Sequence, residues 1–125
     1  MKILLTSIPV NDPLQAFKFY TEVLGFVERL YLPEGRLAIV AAAEDPAGAG
    51  LLLEPNDHPA SRAYQEAAYS AGLPIIVFGA QDIQQEYERL LGLGVVFRRE
   101  PTTSEQGTET LFEDTCGNLV QLYQL

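Results

Sequence analysis

The sequence predicts an α+β fold of two βαβββ modules whose mixed sheets curl around a cleft. Three observations lead there. Along 125 residues, the order strand, helix, strand, strand, strand can be followed twice. Each of the two module helices opens on an aspartate and closes on a glycine: Asp12 and Gly25, then Asp82 and Gly94. The chain is 47% hydrophobic, enough to build the core of one domain of ordinary size without covalent staples. Module one is expected over residues 1–57, a linking helix over 58–72 and module two over 73–125.

Residues 2–9 (KILLTSIP) form a short apolar run ended by proline, the pattern of a buried strand. Asp12 then offers a side-chain oxygen as N-cap, and Pro13 takes the first helical position, where its missing N–H costs nothing. Ala16, Phe17, Tyr20, Val23 and Leu24 recur at helical spacing, which predicts a helix over 13–24. Strand-like runs follow at 27–32, 37–42 and 51–54. Pro33-Glu34-Gly35 marks a turn between the first two, and the Pro46, Gly48 and Gly50 region a looser one.

Residues 55–60 (PNDHPA) break the chain. Ser61 is expected to cap the linking helix, which runs to Ala71 and stops at Gly72. The order then begins again with a strand at 74–78. Asp82 caps a helix carrying Ile83, Tyr87, Leu90 and Leu91. Strands are expected at 95–98, 108–114 and 119–123, with Cys116-Gly117-Asn118 as the turn before the last. Laid over each other, the halves match Asp12 with Asp82, Phe17 with Tyr87, Tyr20 with Leu90, and Leu24-Gly25-Phe26 with Leu93-Gly94-Val95 after one gap. Because the flanking strand order repeats too, the chain reads as an internal repeat.

Bulk properties narrow the function. The net charge of −9 repels phosphate backbones and anionic membranes, and no Lys/Arg cluster offsets it, so nucleic acid is not an expected partner. No run approaches the roughly 20 apolar residues of a membrane span. Residues 1–5 read as the start of a strand and not as a signal peptide. Cys116, the lone cysteine, cannot form an internal disulfide, and a reducing cytoplasm is the expected location. Its nearest charge is Asp114 and no base adjoins it, which argues against a nucleophilic thiolate. No Ser-His-Asp order and no phosphate loop is present.

Val10-Asn11-Asp12, Phe19-Tyr20 and Leu24-Gly25-Phe26 in the first half, and Asp82-Ile83 and Leu93-Gly94-Val95 in the second, together carry a resemblance. So, above all, does Phe112-Glu113-Asp114-Thr115-Cys116-Gly117-Asn118-Leu119, which looks like an F-x-D-P-x-G-N motif with Thr115 where proline is usual. The whole chain resembles the vicinal oxygen chelate superfamily of glyoxalases, bleomycin-resistance proteins and extradiol dioxygenases. The resemblance implies a cleft in which metal-dependent members hold a divalent ion with His, Gln or Glu from the first and last strand of each module. Carried over by spacing, those positions fall on Leu5, Leu52, Ile75 and Gln121. Leucine and isoleucine cannot ligate a metal, so no metal and no cofactor is expected. A one-residue slip offers Leu4 or Thr6, Leu51 or Leu53, and Pro74 or Ile76, which is no better. His58 sits in an Asn-Asp-His-Pro loop and reads as a solvated turn residue.

On this reading the cleft is lined by Leu5, Leu52, Ile75 and Gln121, with strand alternation adding Ser7, Glu54, Val77, Leu119 and Tyr123. Such a surface, mostly apolar with a few polar groups, suits a small, largely apolar or aromatic molecule. Competing readings are a metal-dependent lyase, isomerase or dioxygenase of the same superfamily, a metal-free enzyme using Glu54 or Gln121, and a structural or regulatory dimer. The glutathione-dependent glyoxalase reaction is disfavoured, because it needs a metal to stabilise enediolate-like charge. A homodimer is expected from the resemblance, with the C-terminal Tyr123-Gln124-Leu125 suited to an interface. Each polar lining residue has a plainer role open to it: Gln121 as a hydrogen-bond partner within the sheet, Glu54 as a solvated strand end, Tyr123 as packing.

Overall fold

The structure, a computed structural model, describes residues 1–125. The chain divides into two compact units, Met1–Gln65 and Glu66–Leu125.

In the first unit the elements are β1 (Leu5–Val10), α1 (Pro13–Lys18), β2 (Val27–Leu32), β3 (Leu37–Ala41) and β4 (Gly50–Pro55). The sheet order is β1-β4-β3-β2. β1 pairs with β4 in parallel, and the other pairs are antiparallel. Asp12 caps α1 as expected: its carboxylate accepts from the Leu14 N–H at 3.0 Å and the Gln15 N–H at 3.5 Å. Beyond Lys18 the helix widens into a π-helical turn over Phe19–Val23. Gly25, at φ +90, ends it in a conformation that costs a residue with a Cβ free energy. Pro33–Gly35 forms a 3₁₀ turn.

Helix α1 packs on β3 and β4. Strand alternation aims Ile8 and Val10, Leu51 and Leu53, and Ala38 and Val40 at one face, and all six are buried. Burying each larger aliphatic side chain contributes about 1.5–3 kcal/mol. Phe17 of α1 stacks on Tyr31 of β2 with ring centroids 4.0 Å apart. Helix α2 (Pro59–Ser70) begins two residues before Ser61. Ser61 is therefore not its cap. His58 supplies that service, its Nδ1 accepting from the Ala60 N–H at 3.0 Å. Gln65 of α2 is buried; its amide donates to the Pro9 carbonyl at 3.1 Å and its oxygen accepts from Asn56 at 2.8 Å.

The second unit contains β5 (Ile76–Ala80), α3 (Ile83–Gly92), β6 (Thr102–Ser104), β7 (Gly107–Glu113) and β8 (Leu119–Gln124). Its sheet order, β5-β8-β7-β6, reproduces that of the first unit strand for strand, with β5 parallel to β8. Asp82 caps α3 through the Gln85 N–H at 3.1 Å, and Gln124 accepts from the Ile83 N–H at 2.8 Å. The repeat extends to side chains. Tyr87 of α3 packs edge-on to Phe97 at 4.7 Å, as Phe17 stacks on Tyr31 in the first unit.

Two strand expectations shift. The first strand of the module is Ile76–Ala80, two residues later than the 74–78 run. Residues 95–98 form no regular strand. Phe97 makes an isolated bridge with Phe112, flanked by bonds from the Arg98 N–H to the Leu111 carbonyl and from the Glu113 N–H to the Val96 carbonyl. Phe97 is also wedged between Tyr87 and Phe112, and regular edge pairing resumes only at Thr102–Ser104. The apolar run signalled packing under α3, and periodicity alone does not separate that from a strand.

Candidate functional site

Each sheet has one face under its helix and one open face. In the first unit, registry places Leu5 opposite Gly50, Ser7 opposite Leu52, Pro9 opposite Glu54, and Ile39 opposite Leu52. These residues alternate with the helix-covered set, so Leu5, Ser7, Leu52 and Glu54 share the open face, together with Leu37 and Ile39 of β3 and Leu30 and Leu32 of β2. Leu5 is 42% exposed, whereas Val10 on the covered face is 0%. The face is a hydrocarbon floor with a hydroxyl and a carboxylate at one side.

β2 adds a residue that the sequence did not single out. Its pairing with β3 slips between Glu28 and Leu30, a bulge centred on Arg29. Bulges re-aim side chains. Here a methyl group placed on Gly50 would lie 3.0 Å from Arg29 Nη1, 3.0 Å from Ile39 Cγ2 and 3.1 Å from Leu5 Cδ1. The guanidinium thus lies over Gly50 on the open face, beside Leu5 and Ile39.

The open face of the second sheet is more polar. Val77 lies opposite Gln121 and Gly79 opposite Tyr123. Across the next pair, Glu109 faces Tyr123, Leu111 faces Gln121 and Glu113 faces Leu119. Ile75 precedes β5, its N–H bonded to the Leu119 carbonyl at 2.9 Å, and shares the alternation of Val77. Val77 is 53% exposed. Gln121 does not serve the backbone; its amide donates to the Glu109 carboxylate at 3.3 Å, and Glu109 also pairs with Arg99. The Tyr123 hydroxyl is committed to the Gln106 carbonyl, with the ring lying over Gly107. At the other end, Tyr69 donates to the Glu113 carboxylate at 2.5 Å, and Arg98 lies 5.5 Å above its ring. The Glu113 carboxylate, accepting that bond, raises the Tyr69 phenol above its ordinary pKa; slight burial and the carboxylate charge act the same way, and Arg98 opposes them.

Thus the structure brings Leu5, Ser7, Leu52 and Glu54 together on one sheet face, and Ile75, Val77, Gln121 and Tyr123 on one face of the other. Sequence reasoning missed Arg29, Glu109 and Glu113. The two glutamates were available in the alternation of β7, T-E-T-L-F-E, once Gln121 is known to pair with Leu111. For Arg29 no local signal exists, because the bulge depends on pairing with β3. Cys116 is buried in the turn before β8, where its N–H donates to Asp114 Oδ1 at 2.7 Å.

Two βαβββ units, each with a helix-backed sheet and one open face, define a class of protein, and comparisons agree with it. A sequence model of the Glyoxalase/Bleomycin resistance protein/Dioxygenase superfamily matches residues 2–122. The chain belongs to that superfamily. It is 48% identical over 126 residues to the uncharacterized protein YurT of Bacillus subtilis (strain 168), covering 99% of each. Among solved structures it resembles UcmS2, with a TM-score of 0.80 and 28% identity over 98% of this chain and 97% of that one. It also resembles TnmS3, an antibiotic binding protein from Streptomyces sp. CB03234, with a TM-score of 0.78 and 26% identity over 99% of this chain and 95% of that one.

Some members of the superfamily use a divalent ion, so the donor set matters. Leu5, Leu52 and Ile75 have no lone pair to offer, and Gln121 presents a neutral amide whose nitrogen is bonded to Glu109. No group of three or more His, Cys, Asp or Glu side chains is placed to hold a metal ion. The residues present do not fit the superfamily's metal.

Proposed function

We propose that this protein binds a small, largely apolar or aromatic molecule, using the open sheet faces and no metal ion. The observation that carries the proposal is the hydrocarbon character of the first sheet's open face: Leu5, Leu30 and Leu32 are exposed and Leu52 and Ile39 half-buried, although an apolar side chain left in water forgoes about 1.5–3 kcal/mol of burial. Small-molecule sites are of this kind, apolar with a few polar groups that orient the ligand. Ser7 and Glu54 are the polar members of that face; the second sheet's open face offers Ile75 and Val77 as apolar surface, beside Gln121 and Tyr123. The structural likeness to an antibiotic binding protein supports the same reading.

The experiment is a thermal-shift screen of aromatic compounds and antibiotics, with hits confirmed by calorimetry. A ligand present at 100 times its Kd should stabilise the fold by about 2.7 kcal/mol. Hits are expected among polycyclic and aromatic compounds, and Leu52→Asp should abolish them, since an unpaired carboxylate in the floor is costly to desolvate. A broad screen that moves no melting temperature would overturn the proposal. So would a stoichiometric divalent ion found by elemental analysis of the purified protein.

A further inference from the structure

Arg29 stands out when the strands are compared. It is the one Lys or Arg within any of the eight strands, in a chain with 17 acidic and 8 basic residues. Of the other seven basic side chains, four find a carboxylate, and Lys2, Lys18 and Arg62 do not. Arg36, Arg89, Arg98 and Arg99 do, pairing with Asp57, Glu86, Glu113 and Glu109. Arg29 instead spends Nη2 on a neutral acceptor, the Pro46 carbonyl at 2.5 Å. That bond anchors one edge of the guanidinium against the β3–β4 loop. The other terminal nitrogen, Nη1, is left over Gly50, beside Leu5 and Ile39.

Three features of the backbone serve this placement. The bulge between Glu28 and Leu30 turns the side chain to the open face. The loop carbonyl holds it there. The absent side chain at Gly50 leaves it room, since an added methyl group would press on Arg29, Ile39 and Leu5 together. A cation held beside a hydrocarbon floor, with Nη1 unspent and no carboxylate to neutralise it, is arranged to meet an acceptor carried by an apolar molecule.

We propose that Arg29 is a specificity-determining residue of the binding face: it selects planar aromatic compounds that carry a carbonyl oxygen, donating through its outer N–H groups while the ring lies on Leu5 and Ile39. This rests on the reading of that face as a ligand site. It commits the ligand to a carbonyl acceptor, which the hydrocarbon floor alone would not require.

The test uses two probes with the same ring and the same number of carbons, 2-acetylnaphthalene and 2-ethylnaphthalene, titrated by their own fluorescence against the full-length protein. Wild type should bind the ketone about tenfold more tightly, the usual worth of a hydrogen bond to a charged donor. Arg29→Met keeps the length of the stem and removes the donors; it should erase that preference and leave ethylnaphthalene within about twofold. Gly50→Ala leaves the charge in place but crowds the guanidinium, and it should also reduce the preference. Should Arg29→Met fold poorly, Arg29→Leu provides a second variant without N–H donors and with the same expected loss. If wild type binds both probes equally, or if Arg29→Met keeps the preference for the ketone, the inference is overturned while the apolar site stands. If neither probe binds, nor any compound of the broader screen, the site itself falls and the inference with it. If Arg29→Met leaves the preference intact and instead changes the mass in solution, the residue belongs to a contact between copies, and the inference is again overturned.

Discussion

Thr115 has φ +63, a left-handed conformation that costs a β-branched residue roughly 1–2 kcal/mol. It occupies the place where the superfamily's motif usually has proline, whose ring holds φ near −65°. The turn before β8 is therefore built differently here, and it is held by Asp114, which is fully buried. One carboxylate oxygen accepts from the Cys116 N–H at 2.7 Å and the Asn118 N–H at 3.0 Å, and the other accepts from the Asn118 side chain at 2.9 Å. Those bonds select the strained conformation at Thr115. Three outcomes are expected in urea unfolding. Thr115→Asn, which tolerates positive φ, should raise stability by about 0.5–1 kcal/mol, while Thr115→Pro should lower it by about 3 kcal/mol or more. Asp114→Ala leaves several buried donors without their acceptor and should cost about 3 kcal/mol. A neutral result for Asp114→Ala would show that the turn is held by packing instead.

At the scale of elements, the helices are fixed at their ends by single side chains. Asp12 and Asp82 cap α1 and α3, and His58 caps α2. Removing the Asp82 cap by Asp82→Ala should cost about 1 kcal/mol, measurable as a shift of the urea midpoint at unchanged slope. The Tyr69–Glu113 contact makes a prediction about pH. A phenol whose pKa is raised in the folded state contributes stability that is fully present below the unfolded pKa and is lost as pH rises through the higher folded value. Tyr69 is exposed enough that solvent screens much of this. Ultraviolet titration should find Tyr69 ionising above the ordinary range of a phenol in wild type. Glu113→Gln should return it toward the ordinary range, because the accepting carboxylate is the chief cause of the shift. A wild-type titration curve unchanged by Glu113→Gln would remove Glu113 as the cause.

At the scale of the molecule, charge and exposed apolar surface pull in different directions. A net charge of −9 keeps copies apart in dilute salt, yet Ile3 and Leu4 are each 71% exposed and Leu125 is 69% exposed. We expect the apolar surface to prevail and the protein to be a homodimer. Light scattering at micromolar concentration should give about twice the 13.8 kDa of the chain. Added salt should strengthen association by screening the like charges, with a Debye length of about 8 Å at physiological ionic strength. A monomeric mass at both low and high salt would refute this.

The order of elements, both module helices with their aspartate caps and closing glycines, and the internal repeat were all legible in the amino-acid sequence. Such signals are local: an N-cap oxygen reaches two or three residues, and alternation needs only neighbours along one strand. Alternation also sufficed to put Leu5, Ser7, Leu52 and Glu54 on a common face. What lay beyond the sequence depended on partners far along the chain. Whether Phe97 pairs as a strand or wedges under α3 was decided by Tyr87 and Phe112. That Glu109 meets Gln121 follows from the β7–β8 registry, and that Arg29 turns to the open face follows from a slip against β3. Registry is chosen by the burial of a whole face at once, so no single strand contains it. The sequence by itself determined the scaffold and the alternation that gives each sheet an open face; the tertiary structure alone decided which charged groups share each face, because only long-range pairing aims them.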